Sequence, residues 1–308
     1  MAVLAGRALL LVNPASRAGQ RLAPVVAEAL RREGYEANVV VTEAPGHGGA
    51  YAAEHATEYD VIFTLGGDGT AMEVINALSG TTRSVGVLAG GTGNLLARAL
   101  GVPMDVRRAV PALLNGERRR IDLGVLGDGR RFAITAGTGI DASMIAGAPP
   151  DARRRYGVLA YVASATQAML QHEPFTLRAS VDGEVVEREH CIAAMVVNVG
   201  ILLDGLFTLG PGIAPDDGGL DLCVFTARNF GDAAAVMGRL VARDFRADPR
   251  MTFARGRRIA LDAVPARPVQ ADGEMIGKTP LVAEVARDAA SLLVPARGAP
   301  KQAQVRTT

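Results

Sequence analysis

Up to Arg120 the apolar positions fall in short unbroken runs, and between the runs they recur at helical spacing. Arg7–Val12, Glu36–Thr42, Asp60–Leu65 and Ser84–Leu88 predict four strands. Leu22, Val25, Val26, Ala29 and Leu30 predict a helix over Gln20–Glu33 that stops at Gly34. Gly48–His55, Thr70–Leu78 and Asn94–Leu100 predict three more helices. Strands that are apolar throughout, alternating with helices, are what a parallel sheet covered on both faces requires.

After Arg120 the pattern changes. Phe175–Val181 alternates with period two, and Cys191–Val199, Leu220–Ala227, Arg257–Val264 and Ser291–Ala296 read as further strands. Asp128-Gly129, Asp182-Gly183 and Asp272-Gly273 lie between apolar runs, and Asp-Gly is a two-residue hairpin signal. This half is expected to be mostly antiparallel, with two helices over Tyr156–Gln171 and Phe230–Asp244. Residues 297–308 are expected to form a disordered tail.

Two glycine-rich segments each follow a predicted strand and precede a predicted helix: Gly66-Gly67-Asp68-Gly69-Thr70 and Gly90-Gly91-Thr92-Gly93-Asn94. That order puts backbone N–H groups and a positive helix end at the carboxyl edge of the sheet, an arrangement suited to phosphate. Asn13–Ser16 ends the first strand at the same edge. Thr70-Ala-Met-Glu73 fits a capping box, with Thr70 as N-cap and Glu73 reaching back. Asp68 stands out, because a carboxylate repels phosphate unless a cation lies between them. Mg²⁺, which prefers carboxylate and phosphate oxygens, is the natural cation. The plain alternative is that Asp68 only accepts hydrogen bonds from the amides of its own turn.

Composition narrows the function classes. The 308 residues carry 33 Lys+Arg against 32 Asp+Glu and no Trp, which gives neither a basic surface nor a stacking platform for nucleic acid. Cys191 and Cys223 lie in apolar runs without metal spacing and read as buried free thiols of a reducing compartment. No run reaches the length of a transmembrane helix. Arg7 interrupts the apolar start, so the N-terminus reads as a first strand rather than a signal peptide, and a cytoplasmic location is expected.

Competing motifs fail. A Walker loop before Gly277-Lys278-Thr279 would need Gly where Asp272 stands. Gly137–Ala142 imitates a dinucleotide fingerprint but lies in the β-rich half with no acid about 20 positions on. No Gly-x-Ser-x-Gly elbow occurs, and His47, His55, His172 and His190 form no metal set.

With Asn13-Pro14, the GGDGT loop and the GTGN loop in this order, the sequence resembles the bacterial diacylglycerol-kinase-like lipid kinases. Ala214–Leu222 is similar to that family's aspartate-rich metal loop, and Pro268–Glu274 to its catalytic segment. The resemblance implies an α/β nucleotide-binding domain with a parallel sheet and a β-sandwich-like second domain, the active site lying between them. It implies domains at 1–122 and 123–289, with a last strand at about 290–296 returning to the first. It implies ATP- and Mg²⁺-dependent phosphorylation of a lipid hydroxyl. Asn13, Pro14 and Thr42 would then border the nucleotide, and Gly66, Gly67, Asp68, Gly69, Thr70 and Glu73, with Gly91, Thr92 and Asn94, would cradle its phosphates. Asp68 would act through Mg²⁺ and Glu274 as general base. A second, structural Mg²⁺ would be held by the Asp217 carboxylate and the backbone oxygens of Ala214 and Gly219, and Asp122 would lie near the active site.

Two departures matter. Leu95 stands where many members have aspartate, and Ser16-Arg17 stands where the first turn is usually Ser-Gly. Spacing alone does not choose between the Asp-Gly-Glu triplets at Asp182–Glu184 and Asp272–Glu274; only the flanking residues that resemble the family select Glu274.

A lipid acceptor implies peripheral contact with a membrane surface. Asp151–Leu170 has a basic start, Arg153–Arg155, before an apolar helix, which suits such contact or equally a core helix with a solvated cap. Two other readings stay open. One is an NAD kinase or sugar-phosphate kinase using the same glycine-aspartate loop; the other is a nucleotide-binding regulator without catalysis. The acceptor lipid and the oligomeric state are left open, a homodimer included.

Overall fold

The computed structural model describes residues 6–16, 18–91, 93–139, 173–202 and 207–296. The first part runs β1 (Gly6–Val12), α1 (Gly19–Arg32), β2 (Tyr35–Val41), α2 (His47–His55), β3 (Val61–Gly66), α3 (Asp68–Ala77), β4 (Ser84–Ala89), α4 (Leu95–Ala99) and α5 (Val106–Leu114). Each strand expected from the apolar runs is present within a residue or two. The helix α5 was not expected, although its start signal is plain: the Asp105 carboxylate caps it by accepting from the Arg107 N–H at 3.0 Å.

The order β2–β1–β3–β4 is parallel throughout. β1 has β2 on one side and β3 on the other, so the chain reverses direction across the sheet there. In open α/β sheets a ligand crevice opens at that point, outside the carboxyl ends of the strands. Leu9, Leu10, Leu11, Ile62, Phe63 and Leu65 are fully buried between helices on both faces, which is why these strands do not alternate in sequence.

The second part runs β5 (Glu117–Leu126), β6 (Arg131–Phe132), β7 (Thr135–Thr138), β8 (Phe175–Val181), β9 (Glu184–Val197), β10 (Ile201–Leu202), β11 (Phe207–Thr208), β12 (Leu220–Thr226), α6 (Phe230–Ala242), β13 (Met251–Gly256), β14 (Arg258–Val264), β15 (Pro268–Ala271), β16 (Glu274–Lys278) and β17 (Leu281–Val294). Its order β16–β15–β7–β9–β8–β14–β17 is antiparallel, with β12 on β9 and β5 on β17. A second apolar cluster fills this half, with Phe132, Phe175, Leu177, Leu222 and Leu261 in it.

β17 joins the two parts. Its start pairs with β14, and its end pairs in parallel with β4 through Ser291↔Ser84 and Leu292↔Val85. The two serine hydroxyls meet at 2.8 Å.

Two of the Asp-Gly pairs form two-residue hairpins with positive φ at both positions: Asp182 (50°) with Gly183 (98°), and Asp272 (47°) with Gly273 (89°). Val181 pairs with Glu184 and Ala271 with Glu274 across them. Asp128-Gly129 instead sits in a longer turn, where only Gly129 has positive φ and Leu126 N–H meets Arg130 C=O at 2.7 Å. Cys191 and Cys223 are buried free thiols; burial pushes Cys191 up to about 12 and Cys223 well above its ordinary value. Among the described residues no helix is long and apolar enough to cross a membrane. Thr92, Arg17, His172, the helix expected at Tyr156–Gln171 with its basic start, the end of the Gly137–Ala142 motif and the tail at 297–308 lie outside the described residues.

Candidate active site

The two glycine loops are built around each other. Gly90 N–H donates to Gly66 C=O at 2.9 Å. A Cβ on Gly91 would stand 2.6 Å from Gly67 Cα, so any side chain there collides with backbone. Glycine is therefore demanded by close approach of the loops to each other, before any ligand is considered.

Helix α3 starts at Asp68, with Gly67 as its N-cap in extended geometry and no side-chain cap. This corrects the expected capping box. Thr70 lies inside the first turn, and its hydroxyl accepts from Asn13 Nδ2 at 3.0 Å, tying the end of β1 to α3. Glu73 does not reach back. Its Oε1 accepts from Gly49 N–H at 2.9 Å and pins α2 to α3, beside the methyl group of Thr42. Both side chains serve distant partners, because Gly67 already sets the helix start. Asn13 Oδ1 accepts from Ala15 N–H at 2.9 Å, which shapes the turn through Pro14. The first-turn amides of α3 have no partner within the helix and face the crevice end of the sheet.

Asp68 does not bond its own turn. Its Oδ2 accepts from Leu95 N–H at 3.0 Å and its Oδ1 from Leu96 N–H at 2.9 Å, so it caps α4 from across the two loops. Asn94 makes this reachable. It adopts φ 49°, and its side chain closes on Gly91 through two hydrogen bonds of 2.9 Å. The replacement of an acid by Leu95 leaves this arrangement intact, because it is the Leu95 backbone that Asp68 uses. A carboxylate has about four lone-pair directions, and two are taken.

Glu274 comes to the same place from the other half of the chain. Its Oε1 lies 2.9 Å from the position a Cβ on Gly69 would occupy, directly over the first turn of α3. The hairpin that carries it is anchored by Asp272, whose carboxylate accepts three successive amides: Ala133 at 2.7 Å, Ile134 at 2.9 Å and Thr135 at 3.0 Å. Burial pushes Asp272 up to about 6, the three amides pull it down, and the charge of Asp68 adds a further push upward. Arg130 is the cation beside this hairpin. It pairs with Asp128, donates to Ile276 C=O at 3.1 Å, and is held more firmly protonated by Asp128 and, to a lesser degree, by Glu274. Neither Asp272 nor Arg130 was singled out from sequence as a site residue; the Asp-Gly turn and the arginine two positions after another one were the available signals.

Ala214, Asp217 and Gly219 share one loop, but it is tied down by arginines and by Asp122. Asp217 forms an ion pair with Arg255, which also donates to Asp217 C=O at 3.1 Å. Asp216 pairs with Arg119 at 2.6 Å. Asp122 is buried; its carboxylate accepts from Gly218 N–H at 2.7 Å and from Asp288 N–H at 2.8 Å. Asp122 thus fastens this loop to a bulge of β17. Nearby Asp221 is pushed up to about 6 by burial, against the pull of Arg255.

The donor chemistry fits Mg²⁺ at the first location. Asp68 has spare acceptor capacity, and Glu274 and Asp272 gather negative charge beside it. Among the described residues no three His, Cys, Asp or Glu side chains form a closed metal cage. That suits an ion carried in on nucleotide phosphates, which needs only one or two carboxylates from the protein. At Asp217 the fit is poorer, since an ion there competes with Arg255 for the same carboxylate.

Comparison with known proteins identifies the family and the fold. Residues 7–126 match the diacylglycerol kinase catalytic domain, and residues 134–294 match the YegS C-terminal NAD kinase beta sandwich-like domain. Diacylglycerol kinase of Bacillus subtilis strain 168 is 28% identical over 281 residues, covering 89% of this chain and 91% of its own length. Diacylglycerol kinase of Staphylococcus saprophyticus is 27% identical, covering 89% and 90%. A solved structure of a diacylglycerol kinase from Bacillus anthracis strain Sterne superposes with a TM-score of 0.70 over 94% of this chain and 96% of that one, at 22% identity, a likeness of fold. With both family modules present in order along nearly its whole length, the chain belongs to the bacterial diacylglycerol-kinase-like lipid kinase family.

Proposed function

We propose that the protein transfers the γ-phosphoryl group of Mg²⁺-ATP to the hydroxyl of diacylglycerol or a related lipid presented at a membrane surface. The observation that carries this is the approach of Glu274, from the second half of the chain, to Gly69 in the first turn of α3, the residue next to Asp68. Phosphoryl transfer asks mainly for positioning, charge neutralisation and a base at the attacking hydroxyl. The amides of Gly67, Asp68 and Gly69 and the hydroxyls of Thr70 and Thr92 would hold phosphate oxygens, with Gly66, Gly91, Asn13, Pro14, Thr42 and Asn94 shaping the walls. Mg²⁺ bound with ATP would neutralise phosphate charge beside Asp68. Glu274 accepts the proton of the lipid hydroxyl. Glu73 supports the cradle by holding α2 on α3. A second ion at Asp217, Ala214 and Gly219 would have to displace Arg255.

The test uses the full chain with labelled ATP, Mg²⁺ and either a total lipid extract or NAD. A labelled lipid that disappears in Glu274→Gln is the expected result. Labelled NADP made equally well by Glu274→Gln would overturn the lipid reading in favour of an NAD kinase. ATP binding without product from either acceptor would favour a regulator.

A further inference from the structure

We propose that Asp272 is a positioning residue for the phosphoryl transfer, acting through Glu274, and that a buried polar strap formed by Asn198 and Gln270 keeps it in place. The inference rests on the reading of Glu274 as the base.

The turn between β15 and β16 has only two central residues, Asp272 and Gly273, so the path to Glu274 is fixed once Asp272 is fixed. Four hydrogen bonds fix it. Its carboxylate takes the amides of Ala133, Ile134 and Thr135, and its own N–H donates to Thr135 C=O at 2.9 Å. Gly273 N–H donates to Gln270 Oε1 at 2.7 Å, and Gln270 is itself buried. The segment that supplies the three amides is held from behind. Asn198 is 1% exposed, and its Nδ2 donates to Ala133 C=O at 2.8 Å and to Asp122 C=O at 2.9 Å. A continuous polar path therefore runs from Asp122 in β5 through Asn198 and Ala133 to Asp272.

The chemistry explains why this position holds a carboxylate despite the cost of burial. Three N–H donors converge on it, and only an acceptor-only group satisfies all three. An asparagine would turn an N–H₂ towards at least one of them. The amides must be gathered for Glu274 to stay over Gly69, and a misplacement of about 1 Å in such a group can cost about a hundredfold in rate.

The experiment measures kcat, KM for ATP and melting temperature on the full chain, using labelled ATP and dioleoylglycerol micelles. The variants are Asp272→Asn, Gln270→Leu, Asp182→Asn, Glu274→Gln and the double variant Asp272→Asn/Glu274→Gln. Asp272→Asn is expected to lower kcat about 10- to 100-fold with KM for ATP within about twofold. The double variant is expected to be no slower than Glu274→Gln, because Asp272 acts only through that side chain. Asp182→Asn anchors a hairpin of the same form and is expected to keep wild-type kcat. If Asp272→Asn fails to fold, Gln270→Leu carries the test, with a smaller fall in kcat and the same lack of additivity. Additive losses in the double variant, or equal losses of kcat for Asp272→Asn and Asp182→Asn, would overturn the proposal. Full activity of Glu274→Gln would instead remove the base assignment on which it rests.

Discussion

The protein contains the triplet Asp-Gly-Glu twice, and the two copies fold alike. Asp182-Gly183 and Asp272-Gly273 form the same two-residue turn. In each, the aspartate N–H donates to a neighbouring strand at 2.9 Å while the carboxylate gathers amides from that strand: Arg257 and Arg258 for Asp182, Ala133 to Thr135 for Asp272. What differs is the neighbourhood. Asp182 is exposed and its amide donors are arginines, so it is held below its ordinary 3.8. Asp272 is half-buried, its amide donors are uncharged residues, and burial with the charge of Asp68 pushes it up to about 6. Glu184 stands at the exposed start of its strand, whereas Glu274 lies over Gly69. A local motif therefore specifies a turn; the sheet in which the turn is embedded gives its glutamate a task.

The strongest way to break this comparison is to neutralise the two glutamates. Glu274→Gln is expected to lower kcat by about 10²- to 10⁴-fold, the range for loss of a positioned general base. Glu184→Gln is expected to leave kcat within twofold, since no substrate group comes near it on this reading. Both are measured by transfer of label from ATP to lipid. Equal effects would mean that the approach of Glu274 to the first turn of α3 has no catalytic meaning.

A smaller effect sharpens the comparison by moving Glu274 without altering its chemistry. A Cβ on Gly69 would stand 2.9 Å from Glu274 Oε1, the far end of a flexible side chain, and would push it aside. Gly69→Ala also replaces a helical glycine, worth up to about 1 kcal/mol of stability to α3. The expected outcome is a protein at least as stable as wild type with kcat lowered about tenfold. Gly183→Ala makes the opposite pattern: φ is 98° there with open space around it, so stability falls by about 1 kcal/mol and activity stays. Melting curves beside initial rates separate the two.

These residues also show what sequence makes legible. Asp-Gly is readable as a turn because both residues tolerate positive φ, although at Asp128-Gly129 only the glycine adopts it. The parallel sheet is readable because β1, β3 and β4, buried on both faces, stay apolar through their buried lengths. Thr70 and Glu73 mislead for the complementary reason. They satisfy a local capping pattern, yet their hydrogen bonds go to Asn13 and Gly49, partners that only the tertiary fold supplies. Asp68 stands out in the sequence as an acid in a glycine turn, but its two amides come from Leu95 and Leu96 at the start of α4, across the loops. The first half of β17 has no strand signal because Glu284, Arg287 and Asp288 interrupt it where it crosses the surface, and only its buried end, Ser291 to Val294, looks like a strand. The roles of Asp272 and Asn198 depend on β7 lying between β15 and β9, pairings between segments far apart in the chain.

The smallest expected effect concerns the two aspartates and pH, and its sign follows from their shifts. The folded protein binds the Asp272 proton more tightly than the unfolded chain does, since about 6 stands above 3.8. That residue's contribution to stability is then fully present below the unfolded value and is lost as pH rises through about 6. For Asp182 the folded value is depressed, so its contribution is present above 3.8 and is lost as pH falls below it. Melting temperatures of wild type, Asp272→Asn and Asp182→Asn, compared from pH 7.5 down to pH 3, separate the two. Between pH 7 and pH 5 wild type should gain a few degrees on Asp272→Asn while its lead over Asp182→Asn stays level. Below about pH 4 the lead over Asp182→Asn should shrink. If both leads move together, the two aspartates share one environment, and the claim that the surrounding sheet sets their chemistry fails.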